Sequence, residues 1–201
     1  NRHRTAAASL KSSELTKTFF THFPLFALGA LSLSLVTAPV YSSENCSQPG
    51  SQDPDAFKIF SQFLECAAVR DTNTNPIFRC LTTTRVSYDP ETEAAYRWRL
   101  NVNGSDETTH PLLHFTPAST PDAVHTVINN DTSHSLISRF LYTDCEKCSI
   151  LQMENFGPQC TLWVRPDLKD SIPEECVRKY TELCGQGVSL YDKEACEGER
   201  A

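Results

Sequence analysis

Apolar and polar side chains alternate most regularly over residues 94–102. One face carries Tyr96, Trp98, Leu100 and Val102, and the other carries Arg97, Arg99 and Asn101. A period of two over seven residues indicates a half-buried β-strand. Seven similar runs, separated by turn-rich pieces, cover 65–70, 78–87, 110–116, 122–129, 134–143, 148–154 and 159–165. Eight strands with short loops predict an all-β domain, either an up-and-down barrel or a sandwich, and a closed barrel leaves no exposed edge.

Helical spacing flanks this strand region. At its front, an acidic start at 53–56 precedes Phe57, Ile59, Phe60 and Phe63, which predicts a short amphipathic helix. After the last strand, Ser171 and Glu174 have capping-box spacing. The apolar stripe that follows comprises Ile172, Cys176, Tyr180, Leu183 and Cys184. We expect a helix from about 172 to 184, packed on the outside of the sheet.

Residues 1–42 have a different pattern. A 12-residue apolar run, Leu25–Val36, follows four basic residues and precedes small residues up to Ser42. A membrane-spanning helix needs about 20 apolar residues. We therefore interpret 1–42 as a secretory signal peptide with upstream residues, cleaved near Ser42, and 43–201 as one domain of a secreted, extracellular protein.

Charge limits the partners of this domain. The chain has a formal net charge of −7, and 1–42 contains four basic residues and one acid, so the remainder carries −10. So acidic a surface repels nucleic acid and anionic membrane surfaces. We expect neither as a partner.

All nine cysteines follow residue 42. In an oxidising compartment their expected use is disulfide formation, and their odd number leaves at least one thiol free or paired between chains. Cys145 and Cys148 lack the second pair that a zinc knuckle needs, and His110 and His114 have no acid or cysteine at ligand spacing, so we expect no metal and no cofactor. The sequons predict glycosylation at Asn45, Asn103 and Asn130.

Four motifs occur in the C-terminal third: Cys148–Leu151, Cys160–Val164, Ile172–Cys176 followed by Tyr180, and Tyr191–Cys196. Together they resemble the salivary lipocalins of ticks, the histamine-binding protein family. Asp55–Phe57 and Phe78–Cys80 match more weakly, so the resemblance spans roughly 53–197. It implies an eight-stranded antiparallel lipocalin barrel with a short N-terminal helix and a C-terminal α-helix packed on its wall.

The same resemblance implies a disulfide framework. In the family, the first-half cysteine bonds the last one, and the cysteine that opens the seventh strand bonds the helix cysteine. The pairs implied here are Cys80–Cys196 and Cys148–Cys176. Cys160–Cys184 is a reasonable third pair because the eighth strand and the following helix are neighbours. Three cysteines, Cys46, Cys66 and Cys145, remain unassigned.

An eight-stranded barrel is just wide enough for one small ligand. Amine-binding family members have an Asp directly after the seventh-strand cysteine and a Glu two residues before the eighth-strand Trp. This chain has Ser149 and Thr161 there, so both acids are missing. A neutral pocket disfavours a buried ammonium and favours an apolar or anionic ligand.

The candidate ligand-binding residues are Trp163, Thr161, Ser149, Trp98, Tyr96 and Arg139. Tyr96 and Trp98 either line the pocket or seal the core. Arg97, Arg99 and Arg139 are candidate partners for an anionic head group, and the alternative for each is an outward, solvated position.

These observations favour a non-enzyme, because the chain has no nucleophile elbow and no phosphate-binding glycine loop. The resemblance implies a salivary protein that sequesters a small host inflammatory mediator, and we expect a monomer. Its family role is histamine or serotonin binding, whereas the residues favour a lipid such as a leukotriene or fatty acid. One alternative is an immunomodulator whose barrel loops bind a host protein such as a complement component or cytokine. Another is a barrel with a filled core and no ligand.

Overall fold

A computed structural model describes residues 46, 53–101, 108–154, 157 and 159–198. The predicted signal peptide and the sequons at Asn45 and Asn103 lie outside these residues. The helices are α1 (Ala56–Gln62), α2 (Glu174–Cys184) and α3 (Lys193–Gly198). The strands are β1 (Glu65–Asp71), β2 (Thr82–Asp89), β3 (Glu93–Asn101), β4 (Thr108–Thr109), β5 (Leu112–Pro117), β6 (Ala123–Ile128), β7 (Leu136–Thr143), β8 (Cys148–Met153), β9 (Gln159–Val164) and β10 (Val188–Ser189).

Eight of these strands form a closed antiparallel barrel, in the order β1-β2-β3-β5-β6-β7-β8-β9, and β1 pairs with β9 to close it. The two-residue strands β4 and β10 pair with β3 and β1 respectively. The prediction of an eight-stranded lipocalin barrel is confirmed. Consecutive strands pair as neighbours because short turns connect them, and closure removes the unpaired edges.

The first helix closes one end of the barrel. The Asp55 carboxylate caps α1 by accepting hydrogen bonds from the backbone N–H groups of Phe57 and Lys58, at 3.1 and 3.2 Å. The apolar face of α1 inserts Ile59 and Phe60 into the core, where both are almost fully buried. This helix therefore forms the floor of the barrel interior.

The second helix packs on the outer wall. Cys176 and Tyr180 are buried against the outward face of β8 and β9. The capping-box expectation is wrong: α2 begins at Glu174, and no side chain caps it. Ser171 instead ends the preceding turn, with its backbone N–H bonded to Leu168 O at 3.0 Å. Leu183, which the predicted apolar stripe includes, is 48% exposed.

Among the described residues, no helix is long and apolar enough to span a bilayer.

Candidate functional site

The barrel interior contains a small cavity of about 40 Å³. Its walls are Ile59, Phe60, Phe63, Cys66, Thr83, Tyr96, Trp98, Phe115, Phe140, Ser149, Leu151 and Trp163. These described lining residues include no carboxylate and no cationic side chain. One buried water molecule needs a cavity volume of roughly 10–15 Å³, so this cavity has room for about three waters. A larger ligand therefore requires side chains of the wall to move.

Four of the six candidate ligand-binding residues line this cavity. Tyr96 and Trp98 point inward from β3, Ser149 from β8 and Trp163 from β9. The Trp98 and Trp163 rings are neighbours, with centroids 5.4 Å apart. The Tyr96 hydroxyl donates to Phe63 O at 2.6 Å, which fixes the ring against the end of α1. Burial raises the pKa of Tyr96, so it stays a neutral donor.

The indole nitrogen of Trp163 is the unmatched polar group of the cavity. Trp163 is 4% exposed, and its Nε1–H has no acceptor among the residues that the structure describes. Indole is only a donor, and a buried donor without an acceptor costs about 1–3 kcal/mol. A ligand atom with a lone pair would remove that cost.

Thr161 lies next to the cavity and not in its wall. Its hydroxyl donates to the Asp71 carboxylate at 2.5 Å, and Gln159 Nε2 makes a weaker contact with the same carboxylate at 3.4 Å. The backbone N–H of Asn73 donates to the other carboxylate oxygen at 2.7 Å. We call Asp71, Gln159 and Thr161 the polar cluster. All three are buried, and Gln159 Oε1 has no donor among the described residues.

Asp71 is the interior acid that the sequence reasoning missed. Burial raises the pKa of its carboxyl group, and the hydrogen bonds from Asn73 and Thr161 oppose that shift. Asp71 faces inward because of a β-bulge: Ala68 pairs with Trp163, whereas Arg70 pairs with Leu162, so one extra residue of β1 lies between these pairs. Strict alternation from Ala68 would place Arg70 inside and Asp71 outside. The bulge reverses both positions.

Arg139 does not face the cavity, which corrects its candidacy as a head-group partner. It lies on β7 between Ser138 and Phe140, which are both buried, so it projects outward. Its guanidinium pairs with Asp122 on the outside of the barrel. Arg97 is also exposed, and Arg99 lines a separate pocket on the outer wall. None of the three arginines reaches the interior cavity.

The structure contains four disulfides among the described residues. They are Cys80–Cys196, Cys148–Cys176, Cys160–Cys184 and Cys46–Cys145. The first three are the pairs expected from the resemblance and the strand–helix neighbourhood, and the fourth uses two of the unassigned cysteines. Cys66 is the remaining thiol, and it is buried in the cavity wall. Burial raises its pKa to about 12, so the thiol is neutral and inaccessible to a second chain.

Two other chemical features have clear positions. Asp144, Cys148 and Cys176 have ligand atoms close enough for a metal, but both cysteines are in a disulfide and offer no thiolate. Asn130 is exposed in the turn between β6 and β7 with a positive φ of 61°, a conformation that asparagine tolerates.

Comparisons with known proteins agree with this architecture. Residues 60–198 match the family model described as tick histamine binding protein. No curated protein matches the chain.

Solved structures share the barrel at low sequence identity. AM182 in its serotonin complex aligns with a TM-score of 0.56 and 14% identity, over 75% of this chain and 96% of its own. Japanin from Rhipicephalus appendiculatus, bound to cholesterol, aligns with a TM-score of 0.51 and 12% identity, over 65% of this chain and 94% of its own. Lobster apocrustacyanin A1 aligns with a TM-score of 0.52 and 12% identity, over 75% of this chain and 93% of its own. At such identities the likeness establishes the lipocalin fold alone.

Proposed function

The chain belongs to the tick histamine-binding protein family, and we propose that it is a secreted lipocalin that sequesters one small, mostly apolar host mediator inside its barrel. The class that its lining favours is a lipid mediator, such as a leukotriene or fatty acid, with an oxygen that accepts a hydrogen bond from Trp163. Binding is stoichiometric, and the protein performs no chemistry on the ligand.

This proposal rests on the Trp163 Nε1–H, which has no acceptor in the described part of the chain. Around it the cavity offers aromatic rings, aliphatic carbons and the hydroxyl of Ser149. An ammonium placed there would lose its hydration without gaining a counter-charge, at a cost of several kcal/mol. A carboxylate or hydroxyl oxygen would instead gain a donor, and its hydrocarbon part would pack on the rings.

The small volume of the cavity means that a lipid can bind only if the interior side chains move. Because the cavity is about 40 Å³, the carbon chain of a lipid enters only when interior rings rotate. Phe60 is the central ring of this wall, with ring centroids 5.1 Å from Phe115 and 5.4 Å from Phe140. We expect ligand binding to change the packing of these three rings.

The polar cluster favours a second candidate, an aromatic amine. Thr161 and Trp163 are two residues apart on one face of β9, so a ring near Trp163 would place a short side chain about 7 Å away, beside Asp71. Within the described part of the chain Gln159 Oε1 has no donor, and an ammonium would supply one. The smaller volume of an amine such as serotonin also suits the cavity better than a lipid chain.

Native mass spectrometry separates the two candidates. The protein, secreted from eukaryotic cells, is mixed with arachidonic acid, leukotriene, serotonin and histamine, each at matched concentrations. The variants are Trp163→Phe, which removes the indole N–H, and Asp71→Asn, which removes the carboxylate and keeps its size. Trp98→Phe is the matched control, since it makes the same ring change next to Trp163.

The proposal requires a lipid adduct that Trp163→Phe weakens, that Trp98→Phe weakens less than Trp163→Phe does, and that Asp71→Asn leaves within about twofold. An amine adduct lost in Asp71→Asn would replace it with the second candidate. A barrel that takes up none of the four compounds would contradict both and favour binding of a host protein through the loops.

A further inference from the structure

A second pocket lies on the outer wall of the barrel. Its volume is about 80 Å³, twice that of the interior cavity. The walls are Ala67, Cys80, Leu81, Thr82, Arg99, Pro166, Lys169, Tyr191 and Cys196. The Cys80–Cys196 disulfide ties the C-terminal segment over β1 and β2, and so forms one side of the pocket. The pocket is therefore a product of the disulfide framework and separate from the interior.

Two cationic side chains enter this pocket, and of these only Lys169 has acidic partners among the described residues. Lys169 is largely buried and forms ion pairs with Asp170 at 3.1 Å and Glu197 at 3.0 Å. Hydrogen bonds with Tyr191 and Glu197 raise the pKa of Lys169, so it remains an ammonium. Arg99 forms no ion pair with any acidic group in the part of the chain that the structure describes.

The unmatched Arg99 is notable on a chain with a formal charge of −7. Lys169, the other cationic side chain of the pocket, pairs with two acidic groups, Asp170 and Glu197. The guanidinium of Arg99 is partly withdrawn from solvent beside apolar walls. A planar guanidinium in such a position fits a carboxylate through two parallel hydrogen bonds.

We propose that this outer pocket binds a small organic carboxylate, with Arg99 as its ionic partner and the disulfide, Leu81, Pro166 and Tyr191 packing against its carbon skeleton. This site goes beyond the interior ligand and is independent of it. The Tyr191 ring, over which the Lys169 ammonium lies at 5.0 Å, offers a flat apolar wall to an aromatic acid. The chemical class is thus a compact aromatic or aliphatic monocarboxylate.

Ligand-observed NMR with sodium benzoate tests this site on the full secreted domain. The titration is repeated with Arg99→Gln, Arg99→Lys and Arg97→Gln. Arg97 lies two residues away on the same outward face of β3, outside the pocket, and its substitution makes the same change in charge. Trp163→Phe is included because it changes the interior cavity alone.

We expect saturable binding to the parent protein, with a dissociation constant that rises at least tenfold in Arg99→Gln. Arg99→Lys keeps the charge and loses the planar guanidinium, so its dissociation constant for benzoate should lie between those of the parent protein and Arg99→Gln. Arg97→Gln and Trp163→Phe should stay within twofold of the parent. Benzoate binding that survives Arg99→Gln, that is lost in Trp163→Phe, or that is absent from the folded parent protein would overturn the proposal. Circular dichroism of each variant establishes that it is folded.

Discussion

Two neighbouring parts of the barrel interior, the polar cluster and the cavity, differ in how their buried polar groups are hydrogen-bonded. In the polar cluster, the Asp71 carboxylate accepts hydrogen bonds from Thr161 and from the backbone of Asn73. In the cavity one step along β9, the Trp163 Nε1–H meets no acceptor among the described residues. The protein supplies partners for its buried acid and leaves its buried donor open. We infer that the cluster stabilises the fold and that the cavity is the place for a ligand.

The Asp71 carboxylate is buried inside the barrel but is not part of the cavity wall. Asp71 and Thr161 are cross-strand partners, so the acid is bonded across the β1–β9 seam. A carboxylate held there can support the closure of the barrel, because β1 and β9 are the first and last strands of the closed sheet. The cavity walls contain hydroxyl, thiol and aromatic groups without charge.

The largest effect should come from removal of the acid. Asp71→Ala leaves the donors of Thr161, Gln159 and Asn73 without their acceptor. We expect it to lower the free energy of unfolding by about 2–4 kcal/mol, measured by urea denaturation. Ser149→Ala, a buried polar change in the cavity wall, should cost less than about 1 kcal/mol. Equal losses for the two variants would erase the distinction between cluster and cavity.

The pH dependence of stability tests the same acid more finely. Because burial raises the pKa of Asp71 above its ordinary 3.8, the folded state holds this proton more tightly than the unfolded state does. The ionised carboxylate is thus disfavoured in the fold, and Asp71 makes stability fall as pH rises from about 3.8 through the raised pKa. A tenfold tighter hold on the proton in the folded state corresponds to about 1.4 kcal/mol in the free energy of unfolding.

Urea denaturation of Asp71→Asn and of the parent between pH 3 and 7 measures this effect. The stability of Asp71→Asn relative to the parent should increase with pH in that window and then become constant. A relative stability that decreases with pH would mean that the hydrogen bonds outweigh burial and lower the pKa of Asp71.

Within the polar cluster, substitution of Gln159 should change the free energy of unfolding less than substitution of Asp71. Gln159→Met keeps the length of the side chain and removes Oε1, which has no donor among the described residues. Its loss of two 3.4 Å contacts to Asp71 and Thr161 is offset by removal of a buried unsatisfied acceptor. We expect a change of less than about 1 kcal/mol in the free energy of unfolding. A loss as large as that of Asp71→Ala would show that the amide is an equal partner in the cluster.

The smallest effect should come from the outer wall. Arg139→Gln breaks an exposed ion pair with Asp122, which is worth about 0–1 kcal/mol. Because Arg139 does not reach the cavity, the affinity for arachidonic acid, measured by tryptophan fluorescence, should stay within twofold of the parent. A tenfold loss would return Arg139 to the ligand site.

Much of the fold follows from periodicity. Alternation over 94–102 predicts β3 and its inward Tyr96 and Trp98, and the apolar run at 159–165 predicts β9. The same rule could have placed Arg139 outside, because its neighbours Ser138 and Phe140 face inward. Cys80–Cys196 and Cys148–Cys176 were expected from the family resemblance, and Cys160–Cys184 from the neighbourhood of the last strand and the following helix, because nine cysteines by themselves do not determine their pairing.

The candidate site was less predictable. Asp71 lies one residue beyond the predicted run 65–70, so the sequence did not include it in a strand. A strict period of two from Ala68 would also have placed it outside, because a β-bulge shifts the phase of β1 after Ala68. Thr161 faces inward as expected, yet its hydroxyl is engaged by Asp71, a partner 90 residues away in the chain. Cavity volume depends on how α1 inserts Ile59 and Phe60, and residue types do not determine that depth.

The most direct measurement is the indole N–H spectrum of the protein during ligand binding. The chain has two tryptophans, so ¹⁵N labelling of the indoles gives two signals, and Trp163→Phe assigns them. Titration with arachidonic acid should move the Trp163 Nε1–H proton downfield, as a new hydrogen bond forms, and should move the Trp98 signal less. A Trp163 signal that stays in place while native mass spectrometry detects the bound lipid would contradict the account.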